Sequence, residues 1–181
     1  NIVADPTILY DFKDYINKKD KKHDYILTYI LGKEIEGTHN KALEKIKAVY
    51  GDLPVYSIKI PTMNFELSSF ADRIYYNLDP IEWLNMFNNA KFIYTDSFHG
   101  VLFSLKFHKP FLGYFTEKMR ATRFIDLGKR YGIDNYLVQD VEEIDKKRSI
   151  EVSPDFGMID KLLDEHKQYS LRFLEKSLQE V

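Results

Sequence analysis

The sequence predicts a three-layer α/β/α fold built on a mainly parallel sheet. Three observations carry that reading. Short apolar runs rich in β-branched and aromatic residues recur at 25–31, 55–60, 92–94 and 111–115. Segments with apolar residues at helical spacing lie between most of them. Four strands that alternate with helices argue for a parallel sheet covered on both faces.

Residues 11–17 read as a short helix, followed by the charged turn Lys18-Lys19-Asp20-Lys21-Lys22, a solvated loop. The first strong strand is 25–31, bounded by charge and by Gly32. A helix over 40–50 carries Leu43, Ile46 and Val49, with Thr38 or Asn40 as its N-cap and Gly51 as its stop. Strand 55–60 follows. Over 61–78 the periodicity is lost, which reads as a long loop or irregular insertion. Asp79 then caps a helix with Pro80 in its first turn and Trp83, Leu84 and Phe87 on its apolar face. Strand 92–94, a polar turn, a compact helix over 101–107 and strand 111–115 come next. A basic amphipathic helix fills 116–131 and stops at Gly132; a weak strand, 136–138, precedes a long amphipathic helix over 155–179. The whole reads as one Rossmann-like domain over 1–181. The chain opens at Asn1 rather than methionine, so one domain of a larger protein is expected.

Composition narrows the function classes. With 181 residues, 44% of them hydrophobic, the chain is globular rather than disordered. A net charge of −2 gives no field that would favour nucleic acid or an anionic membrane. No apolar run approaches the ~20 residues that span a bilayer, and no signal peptide opens the chain. The absence of cysteine removes thiolate and disulfide chemistry, and no histidine pair has the spacing of a metal motif. Neither a metal nor a cofactor is expected, and the expected compartment is the cytoplasm.

The most informative stretch is Tyr94-Thr95-Asp96-Ser97-Phe98-His99-Gly100. Strand, polar turn and helix in that order place Asp96, Ser97 and His99 at the carboxyl end of a strand, facing a helix N-terminus, where open α/β sheets bind ligands and unpaired amides attract anions. His99 is the candidate for proton transfer, with Gly100 beside it to let a ligand approach the backbone. Asp96 and Ser97 are candidate ligand groups, and each also suits a helix cap. Ser97 lacks the flanking glycines of a nucleophile elbow. His23, His39, His108 and His166 read as solvent-facing or packing residues. Lys129 and Arg130 complement the dipole at the end of their helix. Arg120 and Arg123 sit near its start, where cations are disfavoured, and share a face; an anion beside them, or carboxylates elsewhere in the fold, would resolve the conflict. The loop from Gly32 to Thr38 is a further phosphate candidate, though it lacks a dinucleotide or P-loop fingerprint.

Three segments together resemble the polysaccharide pyruvyl transferase family: Asp5-Pro6-Thr7-Ile8-Leu9; Pro80-Ile81-Glu82-Trp83-Leu84 with Ala90-Lys91-Phe92-Ile93; and Thr95-Asp96-Ser97-Phe98-His99-Gly100 with Lys109-Pro110-Phe111. Arg123-Phe124, ahead of Tyr131-Gly132-Ile133, extends the similarity from about Asp5 to Val138. The resemblance implies one lobe of a GT-B-like architecture, its carboxyl-terminal half, with the other lobe absent and the last helix partly stripped of its partner. It implies transfer of pyruvate from phosphoenolpyruvate to a sugar of a surface polysaccharide, in the cytoplasm or at the inner face of the membrane, with a free or lipid-linked saccharide as acceptor. His99 would be catalytic, and Asp96, Ser97, Gly100, Arg120 and Arg123 would bind the donor. The match departs at Ser97, where members often carry arginine. A nucleotide-sugar glycosyltransferase and a non-catalytic binding domain on the same fold are the alternatives.

Overall fold

The computed structural model describes residues 3–16, 24–32, 37–60, 69–115, 118–147 and 149–179. Six parallel strands form one sheet in the order β3-β2-β1-β4-β5-β6: β1 Ile26–Tyr29, β2 Val55–Ile58, β3 Arg73–Tyr75, β4 Phe92–Thr95, β5 Phe111–Tyr114 and β6 Leu137–Val138. The sheet grows outward from β1 through β2 to β3, then restarts at β4 on the other side of β1. The order therefore reverses between β1 and β4, and the carboxyl ends of those two strands flank the switch point.

Helices cover both faces. Strand register puts Leu27, Ile58, Ile93 and Phe111 on one face, packed with α1 (Pro6–Leu9), α3 (Pro80–Asn89), α4 (Phe98–Lys106), α5 (Lys118–Tyr131) and α7 (Phe156–Gln179). Ile26, Val55, Phe92, Leu112 and Val138 face the other way, against α2 (Thr38–Tyr50) and α6 (Glu143–Lys146). Every residue of β4 and β5 is buried, so neither strand alternates in polarity.

Local chemistry explains most boundaries. Asp79 accepts from the Ile81 and Glu82 amides while Glu82 reaches back to the Asp79 amide, a capping box with Pro80 at N1. Gly51 and Gly132, at φ +96° and +67°, end α2 and α5 in conformations that side chains disfavour. Four expectations need correction. The helix expected over 11–17 is a 3₁₀ turn at Lys13–Tyr15, and the α-helix of that region lies earlier, at Pro6–Leu9, started by Asp5 and Pro6. The cap of α2 is Gly37 rather than Thr38 or Asn40. The stretch expected to be irregular over 61–78 contains the edge strand β3; its first part, 61–68, lies outside the described residues, as does the charged turn at 18–22. Helix α4 begins three residues before 101, which takes His99 and Gly100 out of the turn and into its first turn of helix.

Of the two readings open for His39, the packing one holds: it is 1% exposed. Its ring lies among Phe70, Tyr94 and Tyr114, at centroid distances of 5.2, 5.6 and 5.3 Å, with Nδ1 3.0 Å from the Tyr94 hydroxyl. Burial, reinforced by the Lys59 charge, pushes its pKa down to about 4. The unfolded chain therefore takes up this proton first, and stability should fall as pH drops from about 6.5 toward 4. The expected loss from this residue is about 3 kcal/mol, read as the urea midpoint against pH. His39→Gln should flatten that dependence; an unchanged acid limb would rule His39 out as its source.

Among the described residues no helix is long and apolar enough to cross a membrane. Helix α7 buries Ile159, Leu163 and Ser170 but leaves Phe173, Leu174 and Leu178 exposed in its last turns.

Candidate functional site

The end of β4 is held by a chain of short hydrogen bonds. Thr95 Oγ1 donates to the Tyr29 carbonyl at 2.5 Å and accepts from the Ser97 amide at 3.1 Å, which joins β1 to the start of α4. Ser97 is 4% exposed and caps α4, its Oγ accepting from the Gly100 amide at 3.3 Å. A Cβ on Gly100 would stand 2.3 Å from Thr95 Oγ1, so the glycine lets the helix settle on the strand's own side chain rather than admitting a ligand. The Gly100 amide is already engaged by Ser97. The Phe98 and His99 amides, first in the helix, have no intrahelical acceptor.

Asp96 faces the switch point. Its two carboxylate oxygens accept from the Leu31 and Gly32 amides at 2.6 and 2.5 Å, so this buried side chain laces the end of β1 to the end of β4. The Gly32 amide is thereby taken by Asp96 and not left for a phosphate. Thr38 opens α2, is buried, and its Oγ1 has no hydrogen-bond partner among the described residues; 33–36 lie outside them.

His99 projects from the first turn of α4 and is half exposed. Its Nε2 lies 3.5 Å from Asp5 Oδ2, an ion-pair distance, while Asp5 Oδ1 accepts from the Thr7 amide at 2.9 Å as the cap of α1. The segment carrying Asp5 is moored to α7, where Ser170 Oγ accepts from the Ala4 amide at 2.8 Å and donates to the His166 carbonyl. Sequence reasoning missed Asp5 as a site residue. The signal available was a helix start, aspartate then proline, and nothing in that pattern tells which distant side chain the second oxygen will meet.

Asp5 lines a cavity of about 340 Å³ with Phe98, Arg123, Asp126, Arg130 and Tyr131. The Arg123 guanidinium sits 4.1 Å above the Phe98 ring, a stacked cation that has no carboxylate partner among the described residues. Arg130 is different: it forms a double hydrogen bond to Asp126, at 3.0 and 3.2 Å. The Tyr131 hydroxyl lies 2.7 Å from His166 Nδ1, and burial raises its pKa. Arg123 falls in the second turn of α5, beyond the reach of the dipole that sequence reasoning invoked against it. The side chain of Arg120 lies outside the described residues. His108 pairs with Asp160 at 2.9 Å, away from this cavity.

The cavity wall thus brings together a cation stacked on Phe98 and a carboxylate, and that carboxylate holds a half-exposed histidine at a helix N-terminus. Such a set can hold an anion and move a proton beside it. Among the described residues no group of three or more His, Asp or Glu is placed to hold a metal ion.

The family model for polysaccharide pyruvyl transferase matches residues 1–114, a stretch that holds Asp5, Asp96, Ser97, His99 and Gly100 and ends before Arg123. No curated protein matches the chain significantly. Among solved structures it is similar to the UDP-GlcNAc 2-epimerase of Methanocaldococcus jannaschii in complex with UDP-GlcNAc and UDP, at 18% identity and TM-score 0.47 over 80% of this chain and 40% of that one. It is also similar to a putative UDP-N-acetylglucosamine 2-epimerase from Listeria monocytogenes, at 17% identity and TM-score 0.49 over 84% and 44%. A third is the glycotransferase of kitacinnamycin, at 14% identity and TM-score 0.49 over 86% and 42%. The chain spans less than half the length of each.

Proposed function

The chain belongs to the polysaccharide pyruvyl transferase family, and from that premise we propose that it is the donor-binding lobe of a GT-B-like enzyme that moves pyruvate from phosphoenolpyruvate to a sugar. The observation that carries the reading is one cavity lined by Arg123, which has no carboxylate partner among the described residues, and by Asp5, whose carboxylate faces His99. Phosphoenolpyruvate carries a carboxylate and a phosphate. Arg123 would be the cation for one of them, and the Phe98 and His99 amides the donors for the other.

The reaction adds a proton to the methylene carbon of the donor, which makes the central carbon electrophilic. One sugar hydroxyl adds there, a second displaces phosphate, and a cyclic ketal with a new methyl group results. His99 would move a proton at the ring nitrogen that Asp5 does not face, with Asp5 against Nε2 to orient the ring and balance its charge. Asp96 and Ser97 contribute by holding the backbone around His99, since their side chains are engaged by amides. The exposed apolar turns of α7 supply a surface for a second lobe, and a surface polysaccharide or its precursor, free or lipid-linked, would be the acceptor.

Calorimetric titration of the full-length protein with phosphoenolpyruvate, UDP and GDP tests the donor. Phosphoenolpyruvate should bind, and Arg123→Ala should weaken it by roughly 10-fold to 100-fold, the usual range for a charge-assisted contact. Tighter binding of UDP or GDP would move the chain to a nucleotide-sugar reading. Unchanged phosphoenolpyruvate affinity in the variant would remove Arg123 from the donor site.

A further inference from the structure

Among the described residues, one strip of the sheet lies open. On the face packed by α3, register places Tyr56 of β2 beside Leu27, and Arg73 of the edge strand β3 beside Tyr56. Helix α3 reaches far enough to bury Leu27, but Arg73 is exposed and Tyr56 and Tyr75 are half-buried. A cavity of about 330 Å³ opens there, and it shares no residue with the cavity at Arg123.

Its floor is aromatic. Tyr25 stacks on Tyr56 with centroids 4.6 Å apart and planes 20° from parallel; Tyr75 lies 5.5 Å from Tyr56; Arg73 stands 5.6 Å over the Tyr56 ring. The facing wall is α3, which contributes Glu82, Asn85 and Asn89. Solvated edge strands are usually blunted with charged side chains, and aromatic rings left beside such an edge leave a large apolar area uncovered. Leu78 and Met86 also line the cavity, but Arg73, Glu82 and Asn89 interrupt them, so the continuous apolar groove that a partner helix would need is absent among the described residues. The lining carries one guanidinium and one carboxylate, which favours neither an anion nor a cation. Flat rings below and planar hydrogen-bonding groups beside them suit a ligand with an apolar C–H face and a rim of hydroxyls. The volume is within the range of small-molecule sites.

We propose that this strip is a saccharide-binding site, taking one neutral pyranose unit stacked on the Tyr56–Tyr75 floor, with its hydroxyls paired to Arg73 and Asn89. It stands apart from the donor reading, since none of its residues lines the Arg123 cavity. In a polysaccharide-modifying enzyme it would grip a unit of the chain remote from the reacting sugar.

The test is saturation-transfer NMR and affinity measurement on the full-length protein with three probes, the methyl glycosides of glucose, galactose and mannose. At least one should bind, with transfer from tyrosine ring protons. Tyr75→Ala should weaken it by roughly 3-fold to 10-fold, the worth of one aromatic contact, while Tyr75→Phe keeps the ring and the affinity. Arg73→Ala, at an exposed position, should weaken it without disturbing the fold. His99→Ala should leave glycoside binding intact, which separates this site from the fate of the pyruvyl-transfer reading. Absence of binding by all three glycosides would overturn the proposal, as would affinity unchanged in both Tyr75→Ala and Arg73→Ala.

Discussion

Replacing His99 with alanine in the full-length enzyme is expected to lower the turnover of pyruvyl transfer by about 10²–10⁴, the contribution of one general acid or base. The donor KM should move far less, because the cation assigned to the donor is Arg123, on a different helix. Asp5→Asn is the companion measurement. Asparagine can still cap α1 through one oxygen, so the segment stays in place while the charge facing His99 Nε2 is removed. Turnover should drop by roughly tenfold with donor binding retained. Steady-state kinetics on the two variants decide the matter: full turnover in His99→Ala would take the histidine out of the chemistry, whatever the fold does around it.

Replacing Asp96 with alanine is expected to cost about 3 kcal/mol of stability, measured as a shift in the urea unfolding midpoint. The side chain is buried and its two oxygens are the acceptors for the Leu31 and Gly32 amides. Alanine deprives both donors of their acceptor at the junction of β1 and β4. Asp96→Asn should also destabilise, because one amide nitrogen would then oppose a backbone N–H at a distance of 2.5 to 2.6 Å. A variant of full stability with weak donor binding would reverse the reading and make Asp96 a ligand group.

Much of the fold was legible in the chain. The apolar runs that became β1, β2, β4 and β5 were visible because nearly all of their residues are buried, wholly so in β4 and β5. Asp79-Pro80 with Glu82, and Gly51 and Gly132, announced helix ends through chemistry that is local by nature. Strand β3 was missed because Arg73, Ile74 and Tyr75 form a three-residue edge strand with one side open, too short to show a period. The start of α4 was read late because Phe98, His99 and Gly100 look like a turn until Ser97 caps them.

The site divides along the same line. The sequence by itself determined that a histidine follows a strand at a helix start, that a serine or aspartate there would cap, and that a family motif surrounds them, since all of this lies within a few consecutive residues. Only the tertiary structure decided what each group touches. It set Asp5 against His99, drew Asp96 onto the far side of the switch point, and laid Arg123 on Phe98. It also buried His39 among three rings and left a tyrosine floor open at the β3 edge. The physical reason is range. Capping and periodicity act over a few residues and leave their mark on the local sequence, whereas a contact between segments far apart in the chain exists only once packing brings them together, and either residue alone carries no record of the other.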